Sequence, residues 1–219
     1  MKLEIENRTE NWKTAQCLSP LFGERAVSLA RRLGEPQTTQ ASDVRLELFW
    51  KGARDYCVGS DKEERKEQLV ESCRKLFPKL RDEIKAYNGF RDLRDCNYDI
   101  FSEDHKTQLL NNLLNTEIDV IVQSPGRLYI GEVKYKSGFH ADGKLVLVHQ
   151  LVRQFVTASV LVDVAGSRLK VVPFVITEKP SQSDQIGFMI HKRWMEPCNQ
   201  LTWDKVAALV SELPDRGRD

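Results

Sequence analysis

Two short runs, Ile118 to Val122 and Leu128 to Tyr135, are the clearest strands in the pattern of hydrophobic and polar positions along the chain. Both runs are rich in β-branched and aromatic residues, and the Ser-Pro-Gly sequence between them is typical of a turn. We therefore predict an antiparallel hairpin. Because a two-residue Pro-Gly loop fits hairpin twist poorly, the loop is predicted to span four residues, Ser124 to Arg127.

Apolar spacing of three and four residues, together with capping residues, predicts several helices, and shorter apolar runs predict further strands. Predicted helices are Leu21 to Leu33, Asp43 to Tyr56, Lys62 to Phe77, Ser102 to Leu114, His149 to Val162 and Thr202 to Leu213. Predicted strands are Leu145 to Val148, Leu169 to Thr177 and Gly187 to His191. The run at Leu169 is expected to be parallel to its neighbour if the helix before it is a crossover. Pro173 within it predicts an edge position or a bulge.

These elements indicate an α/β fold, with a mixed central sheet flanked by helices. We expect one domain over 1–219, with a mainly helical part at 1–110 and the core at 111–213. The composition is that of a soluble globular protein, with 41% hydrophobic and 30% charged residues. No apolar run approaches the length of a membrane span, and the first residues are too polar for a signal peptide, so we expect a cytoplasmic protein. The five cysteines are widely spaced and are expected to be buried free thiols.

The predicted hairpin register brings polar side chains together on one face. Asp119 lies opposite Glu132, and Glu117 lies opposite Lys134, because side chains alternate between the two faces of a strand. The other face is apolar, with Ile118, Val120, Val122, Val133 and Tyr135. Two carboxylates on a partly apolar sheet need a partner, and oxygen ligands of this kind prefer Mg²⁺ or Mn²⁺. A plainer alternative is a Glu117–Lys134 ion pair beside two solvated carboxylates.

Asp119 with Glu132-Val133-Lys134 resembles the signature of the PD-(D/E)xK nuclease superfamily, whose members share the restriction-endonuclease-like fold. The resemblance implies that Asp119 and Glu132 bind the divalent metal together with the carbonyl of Val133. It also implies that Lys134 assists the attacking water, and that Glu117 supports either role. The proline that often precedes the Asp in this family is replaced here by Ile118.

The helix after the hairpin carries a polar stripe, formed by Gln150, Arg153, Gln154 and Thr157. Several nuclease families of this superfamily have a glutamine helix in this place, which implies that Gln150 positions the lysine or a phosphate. The RecB-like branch carries a QxxxY pattern, and the tyrosine is missing here, so an endonuclease is favoured over an exonuclease. The superfamily also often takes a further acid from an upstream helix. The candidates are Glu47, which is the first choice, Glu71 and Glu24.

The net charge of +1 is unevenly distributed. Residues 127–193 contain ten Lys and Arg against five Asp and Glu, so the half that carries the motif is basic. Lys136, Lys144 and Arg153 are the candidates for phosphate contacts. These features favour a magnesium- or manganese-dependent deoxyribonuclease, and a homodimer is plausible because cutting both strands usually takes two sites. The alternative is a catalytically silent nucleic-acid-binding or assembly module with the same fold. Whether the substrate is DNA or RNA stays open.

Overall fold

The computed structural model describes residues 9–84, 102–141 and 147–212, and its centre is a mixed five-stranded sheet in the order β1-β2-β3-β4-β5. The strands are β1 Arg45–Trp50, β2 Ile118–Gln123, β3 Arg127–Val133, β4 Lys170–Thr177 and β5 Gln200–Thr202. Strand β2 is antiparallel to both of its neighbours, β1 and β3, and β3, β4 and β5 are parallel. The predicted α/β class with a mixed, helix-flanked sheet is confirmed.

Helices cover both faces of this sheet. They are α1 Thr9–Leu18, α2 Ala26–Arg32, α3 Gly52–Tyr56, α4 Lys62–Ile84, α5 Glu103–Asn115, α6 Gln150–Val164, α7 Asp184–His191 and α8 Trp203–Ser211. One apolar cluster joins the sheet to α3–α7 and includes Phe77, Leu109, Val156 and Phe188. The second lies on the opposite face, against α1, α2 and α8, and includes Leu18, Leu29 and Val206. Burial on both faces fixes the register of the central strands, because a slip of one residue would exchange the faces.

The hairpin has the predicted register. Val120 pairs with Gly131 and Gln123 pairs with Leu128, and the loop is closed by the Ser124 amide, which donates to the Arg127 carbonyl at 2.9 Å. The predicted apolar face is also confirmed for Val120, Val122, Val133 and Tyr135, which all pack in the second cluster.

Ile118 is an exception, because it packs in the first cluster instead. The regular alternation is interrupted beside it. In β1, Phe49 lies between the paired residues Leu48 and Trp50 and has a left-handed φ of 56°.

The predicted helix from Asp43 to Tyr56 is wrong, because most of it is β1. This segment pairs with β2 along its length, and only the last turn is the short helix α3. Leu46 and Leu48 have the alternation of a strand and pack in the second cluster, and sheet pairing outweighs the weak helical preference of the segment. The N-terminal part therefore supplies a strand of the central sheet.

Three further boundaries differ from the predictions. Helix α4 does not end before Pro78 but continues through it to Ile84, since Phe77 and Leu80 are both buried and hold the helix on the core. The segment predicted as a strand at Gly187 to His191 is the helix α7, with Ser183 as its cap. Leu147 and Val148 are not in a strand, and Leu145 lies outside the described residues.

Several other predictions are confirmed. Ser102 caps α5, Thr202 caps α8, and α6 is the crossover between the parallel strands β3 and β4. Strand β5 pairs only with the last three residues of β4. At Pro173, strand β4 is therefore paired with β3 but not with β5, which is the edge position that the proline predicts. The four described cysteines are free thiols, but only Cys57 and Cys73 are buried, and Cys96 lies outside the described residues. None of the helices in the described ranges combines the length and apolar composition that a membrane crossing requires.

Candidate active site

The ends of β2 and β3 bring Asp119, Glu132 and Lys134 together beneath α6. Glu132 and Lys134 are among the most buried charged residues of the described chain, at 1% and 5% exposure. The Lys134 ammonium lies 2.5 Å from Oε1 of Glu132, so the two form a buried ion pair. The convergence of these three residues follows from the hairpin register predicted from the sequence.

Asp119 is anchored through its carboxylate, because Oδ2 accepts a hydrogen bond of 2.8 Å from the backbone N–H of Val133. Burial, followed by the negative charge of Glu132, raises the pKa of Asp119 from 3.8 to about 8. The hydrogen bond from Val133 and the ammonium of Lys134 oppose this effect without overcoming it. At neutral pH the carboxyl group therefore holds a proton unless another cation comes near it.

Glu132 is held by two glutamine side chains of α6. Nε2 of Gln150 donates to Oε1 at 2.6 Å, and Nε2 of Gln154 donates to Oε2. Burial raises the pKa of Glu132, against the opposing effects of Lys134 and Gln154. Burial is the largest single effect on Lys134 and lowers its pKa. The charge of Glu132, the hydrogen bond that the lysine donates to it and the other nearby carboxylates together outweigh burial, so the pKa is raised. Lys134 therefore stays protonated at neutral pH.

Glu10 is a site residue that the sequence analysis missed. It lies in the first turn of α1, and its Oε1 is 3.4 Å from the Lys134 ammonium. Its Oε2 accepts hydrogen bonds from the Tyr135 backbone N–H at 2.9 Å and from the Ser137 hydroxyl at 2.6 Å. The contact ties α1 to the end of β3. A signal was present, since Glu10, Thr14 and Leu18 recur at four-residue spacing, and the last two are buried.

The three upstream acids proposed from the sequence do not take this place. Glu47, Glu71 and Glu24 are all exposed. Glu47 was the first choice as a helical residue, but it lies on β1. Glu10, on helix α1, is the upstream acid that pairs with Lys134, and whether an upstream acid joins a metal site stays a prediction.

Glu117 lies at the border of this cluster. Its carboxylate pairs with Lys51 at 3.0 Å rather than with Lys134, so the cross-strand ion pair considered in the sequence analysis does not form. Its backbone carbonyl accepts a hydrogen bond of 3.1 Å from Gln154. Glu117 thus contributes its backbone to the glutamine that holds Glu132, while its carboxylate binds elsewhere.

The residues predicted to contact nucleic acid have different surroundings. Lys136 is exposed, with its ammonium 5.1 Å from the ring centre of Tyr135. Arg153 is half-buried and donates to the carbonyl of Leu147 at 2.9 Å. Lys144 lies outside the described residues. Gln154 belonged to the predicted polar stripe but not to the predicted site, although it is buried against Glu132.

The backbone of Lys134 is fixed from both sides. Its N–H donates to the carbonyl of Ile176 on β4 at 2.8 Å, and its carbonyl accepts from the indole N–H of Trp203, at the start of α8, at 3.2 Å. Strands β3 and β4 and helix α8 thus fix the backbone from which this side chain extends.

The oxygen donors of the site are the carboxylates of Asp119 and Glu132 and, from the resemblance, the carbonyl of Val133. Within the described ranges, no three His, Cys, Asp or Glu side chains gather in a metal-binding group. The two carboxylates nevertheless fit a hard divalent cation, because Glu132 is buried, Asp119 is partly buried, and the charge of Glu132 raises the pKa of Asp119. A cation here would replace the proton that Asp119 otherwise holds.

Comparisons with known proteins leave the function to be inferred from this geometry. No protein-family model and no curated protein matches the chain. The structure has a TM-score of 0.29 and 12% sequence identity to the crystal structure of protein VC1899 from Vibrio cholerae, over 77% of this chain and 57% of that one. The matched region is thus less than two thirds of that protein's length.

Proposed function

We propose that this protein is a metal-dependent nuclease with the restriction-endonuclease-like fold, which hydrolyses phosphodiester bonds of DNA. The observation that carries the proposal is the hairpin register, which sets Asp119, Glu132 and Lys134 at one place at the ends of β2 and β3. A buried acidic pair beside a buried lysine is costly to maintain, and such groups concentrate at functional sites. The missing tyrosine of the QxxxY pattern favours an endonuclease.

Asp119 and Glu132, with the carbonyl of Val133, would hold Mg²⁺ or Mn²⁺. When bound, such an ion polarises the phosphoryl oxygen and lowers the pKa of a coordinated water. The fit rests on the chemistry of the donors, since hard cations prefer carboxylate and carbonyl oxygens, and on the raised pKa of Asp119, which a cation would reverse.

Lys134 supplies a fixed positive charge in this mechanism. Because the charge of Glu132 raises its pKa, the lysine keeps its proton and does not act as a general base. Its ammonium would stabilise the negative charge that develops on the phosphoryl oxygens in the transition state. For this residue, stabilising the developing charge is better supported than assisting the attacking water.

Glu10 and the two glutamines position these groups. Glu10 is a second carboxylate beside the Lys134 ammonium, and it fixes the backbone just after that lysine. Gln150 and Gln154 hold both oxygens of Glu132, which fixes the orientation of that carboxylate. These residues act on the reaction through Lys134 and Glu132.

A second candidate is a catalytically silent DNA-binding module. It is favoured by the saturation of Glu132, whose two oxygens already accept from Lys134, Gln150 and Gln154. To bind a metal ion, Glu132 would have to give up or share its hydrogen bonds from these three side chains. The silent module predicts salt-dependent DNA binding that is indifferent to Mg²⁺, and no cleavage product.

The experiment that separates the two is a cleavage assay with purified protein on supercoiled plasmid, linear duplex and single-stranded DNA, each with Mg²⁺, Mn²⁺ or EDTA. The test variant is Asp119→Asn, because it keeps the shape of the side chain, and Asp55→Asn on an exposed position of α3 is the matched control. Cleavage by the wild type and the control, abolished by EDTA and by Asp119→Asn, supports the nuclease. Equal cleavage by Asp119→Asn, or no cleavage by any protein with DNA binding retained, contradicts it.

A further inference from the structure

A small basic pocket lies beside the candidate active site, where the parallel strands β3 and β4 end. Its volume is about 220 Å³, and we call it the lysine pocket. Its walls come from the chain after β3 and the chain after β4, and they include Lys134, Lys136, Ser137, Thr177, Lys179 and Ser181. In open sheets with parallel strands, ligands bind in the crevice outside the carboxyl ends of those strands.

The charge of the lysine pocket is positive. Three lysines line it against one carboxylate, that of Glu178. Lys134 is already balanced by Glu132 and Glu10, so Lys136 and Lys179 supply the excess charge. Both are exposed, and neither has an ion pair with a carboxylate in the part of the chain that the structure describes. The Ser137 hydroxyl already donates to Glu10, whereas the Ser181 hydroxyl accepts from the backbone N–H of Ser183 and keeps its proton for a hydrogen bond to an anion.

The backbone at Lys136 supports a binding role. Lys136 has a φ of 63°, which is uncommon outside glycine and asparagine. This charged residue lies at a bend in the chain, two positions after the buried Lys134. Unfavourable backbone conformations of this kind cluster at ligand-binding and active sites. The pocket is smaller than the roughly 300–1,000 Å³ typical of small-molecule sites, which suits a phosphate group better than a whole nucleotide.

We infer that the lysine pocket binds a phosphate group of the DNA backbone adjacent to the one that reaches Lys134. The inference rests on the proposed nuclease function, and it adds the residues that hold the substrate. Lys134 is shared between the pocket wall and the acidic pair, so a phosphate bound by Lys136 and Lys179 holds the DNA strand next to the reacting position. The sequence analysis did not predict three of the pocket residues as candidates for phosphate contacts, namely Thr177, Lys179 and Ser181.

The test measures DNA binding in EDTA, so that its readout is independent of cleavage. The variant is Lys136→Asn with Lys179→Gln, since asparagine tolerates the left-handed conformation and glutamine keeps most of the side chain. The control is Lys75→Gln with Lys79→Gln, which removes the same charge from exposed positions of α4. Lys75 lines a groove with Asp163 and Val164, at the end of α6 remote from Gln150, roughly 20 Å away along the helix.

Binding of fluorescein-labelled duplex DNA is followed by anisotropy over a series of salt concentrations. Loss of one phosphate contact is expected to weaken binding and to reduce the slope of log K against log salt by about 1, whereas the control keeps the wild-type slope. Wild-type affinity and slope in the test variant, equal weakening in the control, or no binding by the wild type would each overturn the inference. Thermal unfolding of every variant checks that the fold is retained.

Two further comparisons complete the test. The first identifies whether the bound phosphate is a backbone or a terminal phosphate, and the second separates the lysine-pocket inference from the proposed nuclease function. Covalently closed circular DNA has no terminal phosphate, so the same loss on circular and linear DNA identifies a backbone phosphate. A loss confined to 5′-phosphorylated linear DNA overturns the backbone assignment in favour of a terminal phosphate. Cleavage by the wild type with unchanged binding in the test variant refutes the pocket and leaves the nuclease standing. A reduced slope without metal-dependent cleavage by the wild type refutes the nuclease and leaves a phosphate-binding pocket.

Discussion

Replacing Asp119 by asparagine is expected to make the protein more stable and inactive at the same time. The pKa of the Asp119 carboxyl group is 3.8 in the unfolded chain and about 8 in the folded protein, because burial and the charge of Glu132 disfavour the ionised form. Keeping it protonated at pH 7 therefore costs roughly 4 kcal/mol, at about 1.4 kcal/mol for each pH unit between 3.8 and 7. Asparagine carries no charge, and its side-chain oxygen can still accept from the Val133 N–H.

The cost of roughly 4 kcal/mol is a ceiling, because relaxation and water penetration reduce such penalties in real proteins. We expect Asp119→Asn to gain about 1–3 kcal/mol in the free energy of unfolding at pH 7. The sign of this stability difference can be checked by varying the pH. A group whose pKa is higher in the folded than in the unfolded state contributes to stability below its unfolded pKa, and that contribution is lost as the pH rises toward its folded pKa. The gap between variant and wild type should therefore shrink as the pH falls toward 3.8.

The assay is urea unfolding followed by the fluorescence of the four tryptophans, between about pH 4 and pH 8. Asp55→Asn serves as the control, and its stability should follow that of the wild type at every pH. The same preparations are assayed for DNA cleavage. If Asp119→Asn is less stable than the wild type at pH 7, or if the stability difference between them does not depend on pH, the argument that folding raises the pKa of Asp119 is refuted.

Three other changes test the surroundings of the site. Glu10→Gln removes a charge partner of the site lysine but can keep the hydrogen bonds to the following residues, so steady-state kinetics should show a lower kcat for DNA cleavage with little change in thermal stability. Gln154→Leu leaves one carboxylate oxygen of Glu132 without its donor, and urea unfolding should show a loss of about 1–3 kcal/mol, whereas an unchanged midpoint would contradict the role of this hydrogen bond. Burial raises the pKa of Glu35, but hydrogen bonds, first that from Arg127, outweigh burial and lower the pKa below 4.5. The Glu35 carboxylate therefore stabilises the fold above pH 4.5, and this stabilisation is lost as the pH falls. Glu35→Gln should flatten the acid side of the profile of stability against pH, and an unaltered profile would exclude this contribution.

Local chemistry made the hairpin predictable. The turn residues set the loop and the two-residue alternation set the faces, and the cross-strand pairing of Asp119 with Glu132 followed from these two facts alone. Gln150 was predictable for a similar reason, since it begins the helix that directly follows. In each case the decisive interaction lies within a few tens of residues along the chain.

The missed features depend on contacts between remote parts of the sequence. Glu10 meets Lys134 across 124 positions, and nothing in a polar N-terminal helix indicates which strand end it will contact. The segment that forms β1 was assigned to a helix because its apolar residues fit either period, and only its pairing with β2 decides the outcome. Gln154 lay in the polar stripe, but whether such a stripe faces solvent or a buried carboxylate is decided by helix packing.

The central claim is that the buried Asp119–Glu132 pair is a divalent-cation site, and a Mn²⁺ titration tests it most directly. The free-ion electron paramagnetic resonance signal is followed as Mn²⁺ is added to the wild type, Asp119→Asn and the Asp55→Asn control. We predict tight binding of at least one ion by the wild type and the control, and loss of that binding in Asp119→Asn. Equal Mn²⁺ binding by all three proteins, or none by the wild type, would contradict the claim.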